Sequence, residues 1–395
     1  MSSVIYIICG YRYRICPKKE QKAVLEKHIG SCRFVYNKLL AIKKILYEKF
    51  RISISEFDLN NHLTVLKNIH PFLKEVNSQS LQQASKNLNS AYNKFFKEGA
   101  GFPKKKSKKN PLQSFQIPQH YRIESKKIWI PKVGWIKIKL HRDMMQGEMK
   151  TATISRTPAG KWYISIIVEN NMEYPEKQEY SHPTMIGIDV GNITFVTLST
   201  GEKIDHPKFL KNSIKRLKCL QRRVTKKVLN SNNWKKAVKR ASKVHEKITN
   251  QRDDFQHKVS KKLVSENQAI AVETLNIKGM MSNHHRAQST GDSAWYSLVL
   301  KLQYKAEWLG KTVIKISQWL PSSKTCNICG YKHPNLTESI REWQCPECKT
   351  LHDRDINAAI NIKKFALSPP ERRVGLVDSL TEVGGMKQEA SPSRT

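Results

Sequence analysis

Cys326-Asn327-Ile328-Cys329, fifteen further residues, Cys345-Pro346-Glu347-Cys348, and then His352-Asp353-Arg354-Asp355-Ile356-Asn357-Ala358-Ala359 form the stretch that decides the fold. Two Cys-x-x-Cys knuckles at that separation are the ligand pattern of a tetrahedral zinc ribbon, with Cys326, Cys329, Cys345 and Cys348 as thiolates and Zn²⁺ in a structural role. The acidic residues begin five positions after the last cysteine. A structural ion placed there can hold a carboxylate in a fixed position.

Two more acids stand where acid is costly. Asp189 ends the apolar run Met185-Ile186-Gly187-Ile188 and is followed closely by Gly191; Glu273 lies inside Ala269-Ile270-Ala271-Val272-Glu273-Thr274-Leu275. A carboxylate at the end of a buried strand is unfavourable unless it binds something. Asp355 falls in the first turn of a predicted helix, and Asp353 could cap that helix. Three acids on two strands and a helix of one αβ domain predict a metal site. Hard oxygen donors suit Mg²⁺, and a pair of such ions suits in-line attack on a phosphodiester. There is no Gly-x-x-x-x-Gly-Lys loop and no Gly-x-Ser-x-Gly elbow, so neither nucleotide hydrolysis nor serine-esterase chemistry is indicated.

The charge balance agrees with a phosphodiester substrate. Lys plus Arg number 70 against 33 Asp plus Glu, a net charge of +37 over 395 residues. That excess repels itself in a compact fold, and a long polyanion relieves it by releasing counterions. The charge is concentrated: Lys211 to Lys262 holds 18 Lys or Arg and 3 Asp or Glu. Leu217, Leu220, Val224 and Val228, then Val238, Val244, Ile248, Phe255, Val259 and Leu263, keep helical spacing on either side of Asn230-Ser231-Asn232-Asn233. A basic helical hairpin over 210–266 is predicted, with nucleic acid beside it. A second basic stretch, Lys104 to Lys109, follows Phe102-Pro103 and fits either a solvated loop or a backbone-phosphate contact. No apolar run approaches the ~20 residues of a membrane span, and Val4 to Cys9 is too short for a signal-peptide core. These features predict a cytoplasmic chain without a membrane partner, in which reduced cysteines serve as metal ligands. Cys9, Cys16, Cys32 and Cys219 are scattered and are expected to be buried small apolar residues.

The order of elements predicts a multidomain α+β chain. Residues 4–16 alternate as a strand, Pro17 opens a helix, and 32–99 keep a helical period. From Ser114 to Val168 the pattern returns to strands. Together these predict a small N-terminal β-barrel over 1–30 and 112–180, with a helical bundle over 31–111 inserted after its first strand. A Glu-, Tyr-, Ser- and Pro-rich linker from Glu173 to Pro183 separates it from an α/β domain over 183–320 and 352–367, which carries the zinc ribbon at 321–351. From Ala366 onward Pro, Ser, Gly and charge dominate, and 368–395 is expected to be a disordered tail.

These residues resemble the TnpB proteins of insertion sequences, RNA-guided nucleases related to type V CRISPR effectors. The likeness covers nearly the whole chain. It rests on Tyr13-Arg14-Ile15-Cys16-Pro17, Cys32-Arg33-Phe34-Val35-Tyr36-Asn37, Gly187-Ile188-Asp189-Val190-Gly191, Val272-Glu273-Thr274-Leu275-Asn276-Ile277-Lys278-Gly279-Met280, Pro321-Ser322-Ser323-Lys324-Thr325-Cys326, and the last acidic segment. The resemblance implies a RuvC-like nuclease domain of the RNase H fold with Asp189, Glu273 and Asp355 as its magnesium-binding catalytic acids. Asp353 stands as the alternative to Asp355. It also implies a wedge-type β-barrel with an inserted recognition lobe, a guide RNA from the transposon end, and cleavage of target DNA. Two other functions fit the same chain: a nuclease-silent RNA-guided DNA-binding regulator, and a transposase acting directly on transposon ends.

Overall fold

The computed structural model describes residues 6–337 and 339–368. It divides into two compact units. The first comprises Met1–Glu173 with Cys219–Glu246, and the second Tyr174–Lys218 with Lys247–Thr395. The division at 173 falls where the Pro- and Glu-containing linker starts.

In the first unit, strand β1 (Tyr6–Cys16) buries Ile7, Cys9, Tyr11, Tyr13 and Ile15, the period-two pattern of a strand with one face covered. Three helices follow: α1 (Lys19–Phe50), α2 (Glu56–Ile69) and α3 (Ser78–Glu98). Leu25, Ile29, Val35, Leu39, Leu81, Ala84 and Leu88 are buried at helical spacing between them. Ser55 and Asp58 form a reciprocal capping box that starts α2. Gly99, at φ +65°, ends α3 in the left-handed region. α1 is one helix of 32 residues, so the expected border between residues 30 and 31 falls in its interior.

Six more strands complete the sheet: β2 (Gln113–Ile117), β3 (Arg122–Glu124), β4 (Lys127–Ile130), β5 (Gly134–Lys139), β6 (Glu148–Arg156) and β7 (Trp162–Glu173). The order is β2-β6-β7-β1-β5-β4-β3, and neighbouring strands pair antiparallel. The expected barrel is represented by a sheet with two edges, β2 and β3, whose hydrogen bonds do not join end to end among the described residues.

The second unit holds a mixed sheet of β8 (Met185–Val190), β9 (Thr194–Leu198), β10 (Lys203–Asp205), β11 (Ala269–Glu273) and β12 (Thr312–Ile316), in the order β10-β9-β8-β11-β12. β8, β11 and β12 are parallel, and β9 and β10 run antiparallel. β8 and β11 are covered on both faces, which is why they read as apolar runs, whereas the edge strand β12 alternates. Helices α4 (Phe209–Thr225) and α5 (Asn232–Glu266) form the basic hairpin, with residues 219–246 grouped with the first unit. Val228, counted in the apolar stripe, lies beyond the end of α4 and is exposed. Helices α6 (Ile277–Ser282), α7 (His284–Ser293) and α8 (Trp295–Trp308) follow β11. Val259, Leu263, Trp295, Leu298 and Leu302 of α5 and α8 pack with Ile186, Ile188 and Val272. The short hairpin β13 (Glu342–Gln344) and β14 (Leu351–Asp353) leads into α9 (Arg354–Leu367), whose Ile362 and Ala366 pack with Met185, Ala269, Ala271 and Ile314. Sheet and helices thus form three layers.

Ala366 is fully buried in α9, so the irregular tail does not begin there. The rest of the expected tail, 369–395, lies outside the described residues. Cys9 and Cys32 are buried as expected, but Cys219 is exposed and Cys16 half-buried, because α4 presents Cys219 on its charged side. No helix of the described residues is long and apolar enough to cross a membrane.

Candidate active site and metal centre

Asp189 stands at the penultimate position of β8, and Glu273 is the last residue of β11. The parallel register pairs Val272 with Ile188, so the next step sets Glu273 beside Asp189 at the C-terminal ends of the strands. α9 supplies the third acid. Its backbone lies directly against β8: a Cβ on Gly187 would sit 2.1 Å from the Ala359 carbonyl and 2.8 Å from the Lys363 amide nitrogen. That contact requires glycine in the strand. It seats Asp355, one helical turn before Ala359, towards the same strand ends.

Asp189 feels the other two carboxylates. Asp189 is half-buried by area, and its carboxyl is pushed up to about 8 by loss of solvation, with Asp355 and then Glu273 adding repulsion; Arg354 and the Val190 amide pull the other way. Glu273 is pushed up to about 7 by burial, against a hydrogen bond from Ser322 Oγ to its Oε2 at 3.3 Å. Asp355 accepts from Nη1 of Arg341 at both oxygens, 3.1 and 3.3 Å.

Asp353 is occupied elsewhere. Its Oδ1 accepts from the amides of Asp355 and Ile356, both at 3.0 Å, which caps α9. Its Oδ2 pairs with Lys203 Nζ of β10 at 2.6 Å. Burial alone would raise its carboxyl, but Lys203 and the cap hold it below the ordinary range.

The four cysteines meet. Their sulfurs lie within 4.8 Å of one another, with Cys326 to Cys348 at 3.6 Å and Cys329 to Cys345 at 3.5 Å. Four Zn–S bonds of about 2.3 Å in a tetrahedron imply sulfurs roughly 3.8 Å apart, so the cluster could hold zinc. Each knuckle is the same turn. Gly330 N donates to Cys326 O and Lys349 N to Cys345 O, both at 3.0 Å, and Gly330 and Lys349 both take positive φ. Cys348 Sγ lies 3.3 Å from Thr350 Oγ1, a hydrogen bond that favours its thiolate. His352 Nε2 lies 3.1 Å from Cys326 Sγ. Among the described residues the cysteines form the compact ligand cluster, and the three carboxylates are set more widely.

Two buried asparagines join the knuckles to α9. Asn357 accepts from Asn327 N at 3.0 Å and donates to Thr325 O at 2.8 Å. Asn361, one turn on, donates to Ser322 O at 2.8 Å and to Thr325 O at 2.6 Å. The cysteine ribbon and the helix bearing Asp355 are therefore one assembly. Sequence reasoning missed Arg341, Ser322 and Asn361. The signal for the asparagine was available: two amides four residues apart on an otherwise apolar helix face.

Comparisons with known proteins give the family of the chain. The family OrfB_IS605, "Probable transposase", matches residues 165–284; "Cas12f1-like, TNB domain" matches 295–362; and a helix-turn-helix family of the same group matches 7–51. In the structure the last range is a strand followed by one helix. A Streptomyces pristinaespiralis protein named "Putative RNA-guided DNA endonuclease" is 36% identical over 91% of this chain and 89% of its own length. The Escherichia coli K12 protein of the same name, InsQ, is 31% identical over 89% of this chain and 91% of its own. "TnpB-like protein L770" of Acanthamoeba polyphaga mimivirus is 24% identical over 92% of this chain and 74% of its own. The solved structure of the mini-RNA-guided endonuclease CRISPR-Cas_phi3 shares the fold at 9% identity, with a TM-score of 0.52 over 92% of this chain and 93% of that one. The chain belongs to the TnpB family, also called OrfB_IS605.

Proposed function

We propose that this chain is an RNA-guided DNA endonuclease that hydrolyses phosphodiester bonds at one RuvC-type site built from Asp189, Glu273 and Asp355. The observation that carries the reading is the placing of Asp189 and Glu273 on neighbouring strand ends, with Asp355 of α9 near enough to act on Asp189. An acid raised to about 8 by burial and by two neighbouring acids is a site that gains most when a cation arrives. The five-strand order, with three parallel strands flanked by an antiparallel pair and a helix across β8, supports an RNase H-type domain. The names of the two bacterial relatives support the activity.

The donors fit magnesium, being hard carboxyl oxygens that the strand ends and α9 bring towards one place. When bound at these three carboxylates, Mg²⁺ supplies charge neutralisation at the phosphate and activates the attacking water. The chain's own residues do the rest. Ser322 orients Glu273, and the strand ends fix Asp189 beside it. Asp355 would have to leave Arg341 to serve as a ligand. Hydrolysis leaves a 3′-hydroxyl and a 5′-phosphate. The zinc ribbon bears no chemistry in this scheme; it braces α9 through Asn357 and Asn361.

In the same reading the antiparallel sheet of the first unit acts as the wedge and α1–α3 as the recognition lobe. They hold guide RNA and the guide–target duplex by backbone and shape, leaving base pairing to read sequence. The lysines and arginines of α4 and α5 line the nucleic-acid path. The test is cleavage of a target matched to the RNA that copurifies with the protein. Asp189→Ala should abolish cutting while RNA and target binding survive. Retained cutting at millimolar Mg²⁺ would remove the assignment. Strand-transfer products formed without RNA would favour the transposase reading that the family description "Probable transposase" raises.

A further inference from the structure

We propose that Trp319 is a stacking platform for a nucleobase of the DNA strand presented to the carboxylates. The inference rests on the endonuclease reading above and adds a contact to it. Trp319 is 84% exposed, the most of the large hydrophobic residues among the described ones. An indole left in water forgoes a large burial gain, so its position matters.

That position is tied to the acid site twice. β12 ends at Ile316, which is paired in register with Glu273, and Ile316 O accepts from Thr274 N at 3.0 Å. Three residues after Trp319, the buried Ser322 donates its hydroxyl to Glu273 Oε2 at 3.3 Å. The segment between closes on itself. Leu320 N donates to Ser317 O at 3.2 Å, and Trp319 N to Ser317 Oγ at 3.4 Å. Leu320 packs down against the core cluster that includes Ile314 and Ile316. Trp319 is thus the outward side chain of a short turn whose two ends are both fastened at Glu273. Its ring is held within a few residues' reach of the strand ends while remaining open to solvent.

The chemistry that suits such a ring is the π-face of an unpaired base. Stacking on an aromatic side chain is indifferent to base identity. A nuclease whose sequence choice comes from base pairing needs a grip of that kind on the strand it cuts. Lysines can hold phosphates but cannot fix a base in place; an indole mounted on a closed turn can.

The experiment uses the full chain loaded with its copurifying RNA. Target DNA carries single 2-aminopurine substitutions along the strand that is cut, and Ca²⁺ replaces Mg²⁺ for the fluorescence readout. Wild type and Trp319→Phe should quench 2-aminopurine at one position near the cut, and Trp319→Ala should leave that position bright. In Mg²⁺, Trp319→Ala should raise the KM for target roughly tenfold with kcat little changed, and Trp319→Phe should recover most of the loss. The melting temperature of Trp319→Ala should match wild type, since the ring is exposed. A wild-type quenching profile and KM for Trp319→Ala would overturn the proposal. Asp189→Ala is assayed in parallel. If that variant still cuts, the endonuclease site is misassigned, and the quenching profile still decides Trp319.

Discussion

Arg341 holds Asp355 by both carboxylate oxygens, at 3.1 and 3.3 Å. The pair is set by the ribbon hairpin. β13 and β14 align Glu342 with Asp353, and Arg341 O accepts from Arg354 N at 2.8 Å, so the guanidinium arrives over the first turn of α9. A cation at Asp355 must compete with it. Arg341 is 47% exposed in its side chain, so the pair contributes only about 0–1 kcal/mol to stability. Arg341→Ala should therefore leave the melting temperature nearly unchanged and tighten Mg²⁺ binding to the RNA-free protein by up to about fivefold. Calorimetric titration with MgCl₂ measures this; weaker binding in the variant would contradict the competition.

Gly187 is required by the approach of α9. Gly187→Ala would place a methyl 2.1 Å from a backbone oxygen, which no side-chain movement relieves. Overpacking of this kind costs about 1–3 kcal/mol. Its strand and helix must separate, so the variant should melt lower and lose most cleavage. Gly30→Ala is the control: nothing lies within 4 Å of its added carbon inside α1, and the change should be neutral or stabilising by about 0.5–1 kcal/mol. Thermal melts of both variants, compared with wild type, separate the two outcomes.

The raised acids give the metal-free protein a pH-dependent stability of definite sign. Asp189 keeps its proton in the folded state up to about 8, and Glu273 up to about 7, whereas both release it near 4 when unfolded. The folded state binds more protons between those limits, so stability falls as pH rises from roughly 4 to 8. Melting temperatures from pH 5 to 8.5, in Mg²⁺-free buffer without chelator, should decline along that range. Added Mg²⁺ should flatten the decline at its alkaline end, and Asp189→Asn should reduce it. A stability that rises over the same range in wild type and not in the variant would reverse the assigned sign.

Zinc content should be one ion per chain. Cys345 is fully buried at the centre of the cluster, and Cys345→Ser should lower bound zinc and open residues 321–351 to protease. Cleavage should fall with it, because Thr325 and Asn327 would no longer meet Asn357. Cys219→Ser, at an exposed thiol remote from the cluster in sequence, should retain the ion. Elemental analysis and limited proteolysis of the two variants provide the comparison.

What could be read in advance was what local chemistry writes into the chain. Asp189 and Glu273 stood out because each interrupts an apolar run, and those runs are apolar because β8 and β11 are covered on both faces. The cysteines stood out by spacing alone. The rest depends on distant partners. Ser322 meets Glu273 across 49 positions, and Asn361 meets Ser322 across 39. β10, β13 and β14 are three residues each, too short to leave a period. Helices α6 and α7 left no clear stripe, being rich in Ser, Gly and His. α1 passed through Gly30 unbroken because that glycine keeps ordinary helical angles in open space.

The order of synthesis gives the contact between Gly187 and Ala359 one more meaning. β8 and β11 leave the ribosome with Asp189 and Glu273 already at their ends, but one face of the sheet stays bare until Arg354–Leu367 follows. The third carboxylate and its brace arrive together with that cover. On the proposed function, a message truncated just before Arg354 would yield a lysine-rich chain that lacks the third carboxylate.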